Sequence, residues 1–109
     1  MEFRRKKAYH IIVQQKDLVT NIEEYVKAMD KYGKYFYIYH YKDGVQPHYH
    51  IYYCHTSSID EIEAEDLVFN DLVKQAFVNE TMGKNATLLY VLQNGKYALS
   101  DIVSNMPLR

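Results

Sequence analysis

Lys34-Tyr35-Phe36-Tyr37-Ile38-Tyr39-His40 and His48-Tyr49-His50-Ile51-Tyr52-Tyr53-Cys54-His55, separated by a segment containing Asp43-Gly44, decide how this chain folds. Both runs consist almost wholly of aromatic and β-branched residues, which suit a pleated, half-buried surface. Asp-Gly between them is a turn signal. Residues 34–55 therefore read as a β-hairpin with a loop over 41–47. Side chains alternate across a strand, so His48 and His50 share one face. With that loop length His40 falls opposite His48 and joins the same face. Tyr35, Tyr37 and Tyr39 point to the other face, as do Tyr49 and Tyr53, while Tyr52 shares the histidine face.

Working outward, residues 8–15 form another β-rich run and predict a strand. Asp17 resembles an N-cap, and Leu18, Ile22, Tyr25, Val26 and Met29 recur at helical spacing to about Tyr32, with Gly33 as the stop. Leu67, Val68, Leu72, Ala76 and Phe77 predict a second helix across 62–79, broken by Gly83. Asn85 is the expected cap of a third, shorter helix carrying Ala86, Leu88, Leu89 and Leu92, which Asn94-Gly95 ends. Residues 97–103 are a last strand or an extended tail. The order β-α-β-β-α-α, with that optional strand, predicts one α+β domain over 1–109. A central antiparallel sheet with packed helices, of the ferredoxin-like kind, accommodates it.

The 109 residues carry a net charge of −1, which does not announce a nucleic-acid binder. Asp60, Glu61, Glu63, Glu65 and Asp66 concentrate the acid in one segment, however, and the remaining chain is net basic. A single cysteine, Cys54, excludes an internal disulfide and a cysteine zinc finger. The basic start Arg4-Arg5-Lys6-Lys7 is followed by no apolar signal core, and no run is long enough to span a membrane. The expectation is an intracellular, cytoplasmic protein. Met82-Gly83-Lys84-Asn85 is not a phosphate loop, so no helicase activity is expected.

Three imidazoles converging at a strand end form a candidate metal site, because neutral imidazole binds divalent transition metals well. His40, His48 and His50 are the expected ligands, and Asp43 is the alternative to His40. His10 and His55 lack such an arrangement and read as structural or surface residues. Twelve tyrosines and no tryptophan make a catalytic phenol a second question. Most tyrosines lie on the wrong face or in core patterns, which leaves Tyr90 and Tyr97 on a separate element. Helical spacing puts Gln93 and Asn94 beside the Tyr90 hydroxyl. The bland alternative is a core aromatic in a leucine-rich helix, with incidental histidines.

Together, Pro47-His48-Tyr49-His50-Ile51-Tyr52-Tyr53 and Tyr90-Val91-Leu92-Gln93-Asn94-Gly95-Lys96-Tyr97 resemble the HUH endonucleases, in which a hydrophobic residue separates two metal-binding histidines. The likeness is nearest to rolling-circle replication initiator (Rep) proteins of plasmids and single-stranded DNA viruses. By size, it is nearest to the stand-alone Reps of archaeal rod-shaped viruses. Their second motif reads Pro-His-hydrophobic-His, and their third is a helical tyrosine followed after two residues by lysine. Here Gln93 stands in place of that lysine, so Lys96 or Lys84 is left to supply a cation near the phosphate. The third ligand of viral Reps lies eight residues before the first motif histidine, where this chain has His40.

The resemblance implies a nicking and joining enzyme for single-stranded DNA, or for a DNA hairpin at an origin. Mn²⁺ or Mg²⁺ would sit on His40, His48 and His50. Tyr90 would be the nucleophile, Tyr97 its reserve, and Gln93 and Asn94 would be auxiliary groups near the phosphate. It further implies a 5′-phosphotyrosine intermediate, a homodimer, and reliance on a host helicase and polymerase. A single-tyrosine HUH transposase or relaxase, a three-histidine zinc hydrolase and a non-catalytic ferredoxin-like nucleic-acid-binding module are the alternatives.

Overall fold

The fold rests on three long strands joined edge to edge by their backbone ladders. They are β1 (Ala8–Gln14), β2 (Gly33–His40) and β3 (His48–His55). β3 lies between the other two and pairs antiparallel with both, from Ala8↔Cys54 to Gln14↔His48 on one side and from Gly33↔His55 to His40↔His48 on the other. β4 (Phe77–Glu80) extends the sheet beside β1, and β5 (Ile102–Ser104) extends it beside β2. The computed structural model describes residues 8–55, 61–81 and 83–108. The basic segment Arg4–Lys7, together with Asp60 and Met82, lies outside them.

Among the described residues, three α-helices accompany the sheet: α1 (Ile22–Tyr32), α2 (Glu61–Val68) and α3 (Lys84–Leu92). The order β1-α1-β2-β3-α2-β4, with sheet order β4-β1-β3-β2-β5, is the ferredoxin-like α+β arrangement with α3 and β5 added. None of the helices described is long and apolar enough to cross a membrane.

The two faces of the sheet carry separate cores. Tyr9, Ile11, Val13, Tyr37, Ile51 and Tyr53 pack against Ile22, Tyr25, Val26 and Met29 of α1 and against Leu67 and Val68 of α2. Phe36, Ile38 and Tyr52, from the alternate positions, pack against Leu88 and Val91 of α3 and against Tyr97. The histidine face is therefore the one that α3 only partly covers.

Several expected boundaries move, each for a physical reason. The helix predicted over 62–79 ends at Val68, and residues 77–80 are strand β4 instead. The Asn70 carboxamide accepts from the Leu72 amide at 2.8 Å and turns the chain, and β1 offers an unpaired edge that captures Phe77 and Val78. Asp17 lies in a short 3-10 turn, and Asn21 caps α1 by accepting from the Glu24 amide at 2.9 Å. Gly83 rather than Asn85 precedes α3, at φ 102°. Gly33 opens β2 rather than merely ending α1, because a Cβ there would overlap the Cys54 carbonyl of the neighbouring strand. The expected strand at 97–103 shrinks to β5, since residues 99–101 form a 3-10 turn.

Candidate metal centre

The hairpin register sets His40 directly across from His48, and His50 follows two residues along β3 opposite Ile38. Ring centroids are 5.3 Å apart for His40 and His48, 4.4 Å for His40 and His50, and 4.9 Å for His48 and His50. One nitrogen from each ring lies within 4.8 Å of the others, so the three histidines are close enough to hold a metal ion. Imidazole nitrogens that share one ion at about 2.1 Å would lie closer together than this, so binding would draw them in.

Each ring is oriented through its other nitrogen. His40 Nε2 donates to the Val91 carbonyl at 2.7 Å, which leaves Nδ1 as the lone-pair nitrogen. His48 Nδ1 donates to the Gln46 carbonyl at 2.8 Å, which leaves Nε2. His50 Nδ1 lies 2.8 Å from His10 Nε2, and with His50 as donor its Nε2 is free for an ion. Such outer hydrogen bonds fix tautomer and ring angle and raise ligand basicity. The donor set fits a divalent transition metal.

Burial favours the neutral form of His40 and His50, the form that ligation requires. The His50 pKa is pulled down to about 3, first by burial and then by His40, His10 and His48, with Asp43 opposing. Burial also lowers His40; the Val91 carbonyl and Asp43 oppose it, while His48 and Lys96 add to it. His10 is lowered by burial and by His40.

His10 belongs to this site, contrary to the expectation that it is structural or superficial. It is buried, bonded to His50, and its ring centroid lies 5.8 Å from that of Tyr90. The signal was parity: on β1 it pairs with Tyr52, whose side chain shares the histidine face. His55 sits at the far end of β3, where its Nδ1 is 2.7 Å from the Tyr53 hydroxyl.

Asp43 stands at the rim. Its Oδ2 is 3.4 Å from His40 Nδ1, and its Oδ1 pairs with Lys96 Nζ at 3.1 Å. Burial pushes its pKa up, but the hydrogen bonds from Lys96 and Gln93 outweigh this and hold the carboxyl below its ordinary value. His40 rather than Asp43 thus completes the close cluster, with Asp43 beside it.

The two candidate tyrosines have different surroundings. Tyr90 on α3 is 55% exposed, and its ring stands edge-on to His10 and, at 6.0 Å between centroids, to His50. Tyr97 is buried and stacks on His40 at 4.4 Å with 9° between the planes. Its hydroxyl accepts from the Tyr41 and Lys42 amides, each at 2.9 Å, and lies 3.4 Å from Asp43 Oδ1. Tyr97 is a wall of the site that pins the hairpin loop.

The residues expected beside the Tyr90 hydroxyl do not follow helical spacing. α3 ends at Leu92, and Gln93 and Asn94 both adopt left-handed backbone, at φ 50° and 56°. Gln93 is swung back to donate to Asp43 at 3.2 Å, and its Nε2 lies 3.4 Å from His40 Nδ1. Asn94 is exposed and makes no hydrogen bond to the cluster among the described residues. Of the two candidate lysines, Lys96 reaches the rim through Asp43, while Lys84 donates to the Pro107 carbonyl. Beside His48 a groove of about 330 Å³ opens between Ile12, Gln14, Val45 and Gln46. No known protein-family model matches the sequence, and no curated protein is detectably similar to it.

Proposed function

We propose that the protein is a metal-dependent nickase and strand transferase for single-stranded DNA that initiates replication of a viral or plasmid genome. The observation that carries this reading is the exposed Tyr90 ring standing edge-on to His50, one of three converged histidines. A nucleophilic phenol must be both reachable and adjacent to the centre that holds the phosphate, and Tyr90 meets both conditions where Tyr97 does not.

His40, His48 and His50 would hold the ion, whose chemistry when bound would be Lewis-acid stabilisation of negative charge on a phosphate. Three imidazoles favour Mn²⁺ over Mg²⁺, since Mg²⁺ prefers oxygen donors. Tyr90 Oη would form the bond to phosphorus as the bond to O3′ breaks, the phenolic proton passing to solvent and the departing O3′ taking a proton from solvent. The products are a 5′-phosphotyrosine and a free 3′-OH. The 3′-OH primes synthesis, and because the phosphoryl ester is kept, a later 3′-OH reverses the attack and reseals the strand. Lys96 and Lys42 set positive charge at the rim, in the place that Gln93 leaves without a cation. The partners that go with this reading are single-stranded or hairpin origin DNA, a second copy of the chain, and a host helicase and polymerase.

The test is incubation of wild type and Tyr90→Phe with Mn²⁺ and labelled single strands from the source replicon, followed by denaturing protein electrophoresis. A labelled protein–DNA band present in wild type, and absent in Tyr90→Phe and with chelator, is expected. Cleavage that persists in Tyr90→Phe without any covalent band would replace the phenol with a water nucleophile and overturn the proposal.

A further inference from the structure

Aromatic side chains continue past the histidine cluster and around the end of the sheet. Tyr97 stacks on His40; Tyr41 meets Tyr97 edge-on at 6.0 Å; and Tyr41 stacks on Tyr39 at 5.8 Å with 25° between the planes. Tyr39 lies on the opposite face of β2 from His40, so Tyr41, the first loop residue, bridges the two faces across the rim. Tyr41 is 59% exposed although it is a large aromatic, and the fold gains little from holding it there. Lys42 Nζ lies 5.6 Å from the Tyr41 ring centroid and 4.9 Å from that of Tyr97, and its ammonium donates to the Lys96 carbonyl.

We propose that Tyr41, Tyr39 and Lys42 form a stacking track on which a short run of bases flanking the scissile phosphate leaves the metal centre and turns over the sheet end. This rests on the nickase reading for the identity of its ligand. The track is continuous with the cluster through Tyr97, and a single strand suits it because every base offers a flat face to a ring while its phosphates seek cations. Lys42 supplies a positive charge beside the Tyr41 and Tyr97 rings. Asp43, the one acid at the rim among the described residues, is already paired with Lys96, so Lys42 faces the path with its charge uncompensated by a carboxylate. Beyond Tyr39 the sign changes: Glu23 of α1 acts on the Tyr37 and Tyr49 hydroxyls, and an approaching phosphate is repelled there. The track therefore ends at Tyr39 rather than running on under α1.

The experiment measures fluorescence anisotropy of labelled (dT)₁₂ with the full chain in chelator, where no nicking occurs, beside the covalent-band assay in Mn²⁺. Tyr41→Ala is expected to weaken binding roughly 5- to 150-fold, the range for losing one base–aromatic stack. Tyr41→Phe, which keeps the ring face, is expected to bind like wild type, and Lys42→Gln to flatten the salt dependence by about one phosphate contact. Unchanged (dT)₁₂ affinity in Tyr41→Ala overturns the track, and a covalent band in wild type then leaves the nickase standing. Tyr41-dependent binding with no covalent band in wild type supports the track and fails the nickase. Unchanged affinity with a shift in sedimentation on Tyr41→Ala marks the surface as a contact between copies and overturns the track as well.

Discussion

The two faces of one sheet are built from alternate residues of the same three strands, and they have been given opposite tasks. Tyr9, Ile11, Val13, Tyr37, Ile51 and Tyr53 are sealed under α1 and α2 and do little but exclude water. One position along in each strand, His10, His40, His48 and His50 face a layer that α3 covers incompletely. The sealed face contributes stability in proportion to the apolar area it removes from water. The open face holds four imidazoles close together, an arrangement that favours ligation more than folding. A sheet can separate the two because its side-chain period is two, so stability and chemistry are set by different residues of one strand.

Neighbours on β3 offer the widest separation. Ile51→Ala empties a fully buried position on the sealed face and should lower unfolding free energy by about 2–5 kcal/mol. Metal stoichiometry in the folded fraction should not change. His50→Ala should do the reverse, removing the stabilisation that added Mn²⁺ or Zn²⁺ gives in thermal melts. If Ile51→Ala abolished metal binding while still folded, the division between faces would fail.

The imidazoles of the open face and the phenols of the sealed face should also lose stability at opposite ends of the pH scale, although His55 is lowered on the sealed side and Tyr52 raised on the open one. His50 has a folded pKa of about 3 against an ordinary value of 6.5, so the unfolded chain binds its proton first. That contribution is complete above 6.5 and is lost as pH falls towards 3. It amounts to a few kcal/mol for the metal-free protein, and lowered His10 and His40 act in the same sense. On the sealed face, burial raises Tyr9 and Tyr37 to about 12, with Glu23, Tyr35 and Tyr49 adding to Tyr37, so their contribution is lost only as pH rises from 10 towards 12. Urea melts from pH 4 to 11, with His50→Asn as control, should show the acid arm shrink and the alkaline arm remain. An unchanged acid arm in His50→Asn would assign acid sensitivity to the carboxylates.

Much of this division was legible in the sequence because it depends on short-range alternation. The pairing of His40 with His48 followed from the hairpin loop length, and the shared face of His48 and His50 from their spacing. What escaped depended on contacts distant in sequence. Leu72 and Ala76 continue a helical spacing from Val68, and only the open edge of β1 makes strand β4 of the following residues. His10 carries no local mark, since its partner His50 lies forty positions away. Gln93 and Asn94 fit a helix that Asn94-Gly95 would stop, one or two residues beyond its actual end at Leu92; two successive left-handed residues instead redirect Gln93 towards Asp43.

Two buried tyrosine hydroxyls supply the finest comparison. Tyr25 donates to the Val68 carbonyl at 2.7 Å and ties α1 to α2 beneath the sealed face. Tyr97 accepts from two loop amides and lies near Asp43, at the edge of the open face. Removal of either hydroxyl leaves buried polar groups short of a partner, a cost of about 1–3 kcal/mol. Tyr25→Phe should pay it in stability alone. Tyr97→Phe keeps the ring on His40 but frees residues 41–43, so its cost should be divided. Part should appear as faster amide exchange at Tyr41 and Lys42, and part as weaker metal affinity, because His40 and Asp43 lose a common support. Hydrogen exchange and metal titration of the two variants, matched for stability, distinguish these outcomes. Equal metal affinities would reduce Tyr97 to the same structural role as Tyr25, and the open face would then hold its histidines without help from the loop.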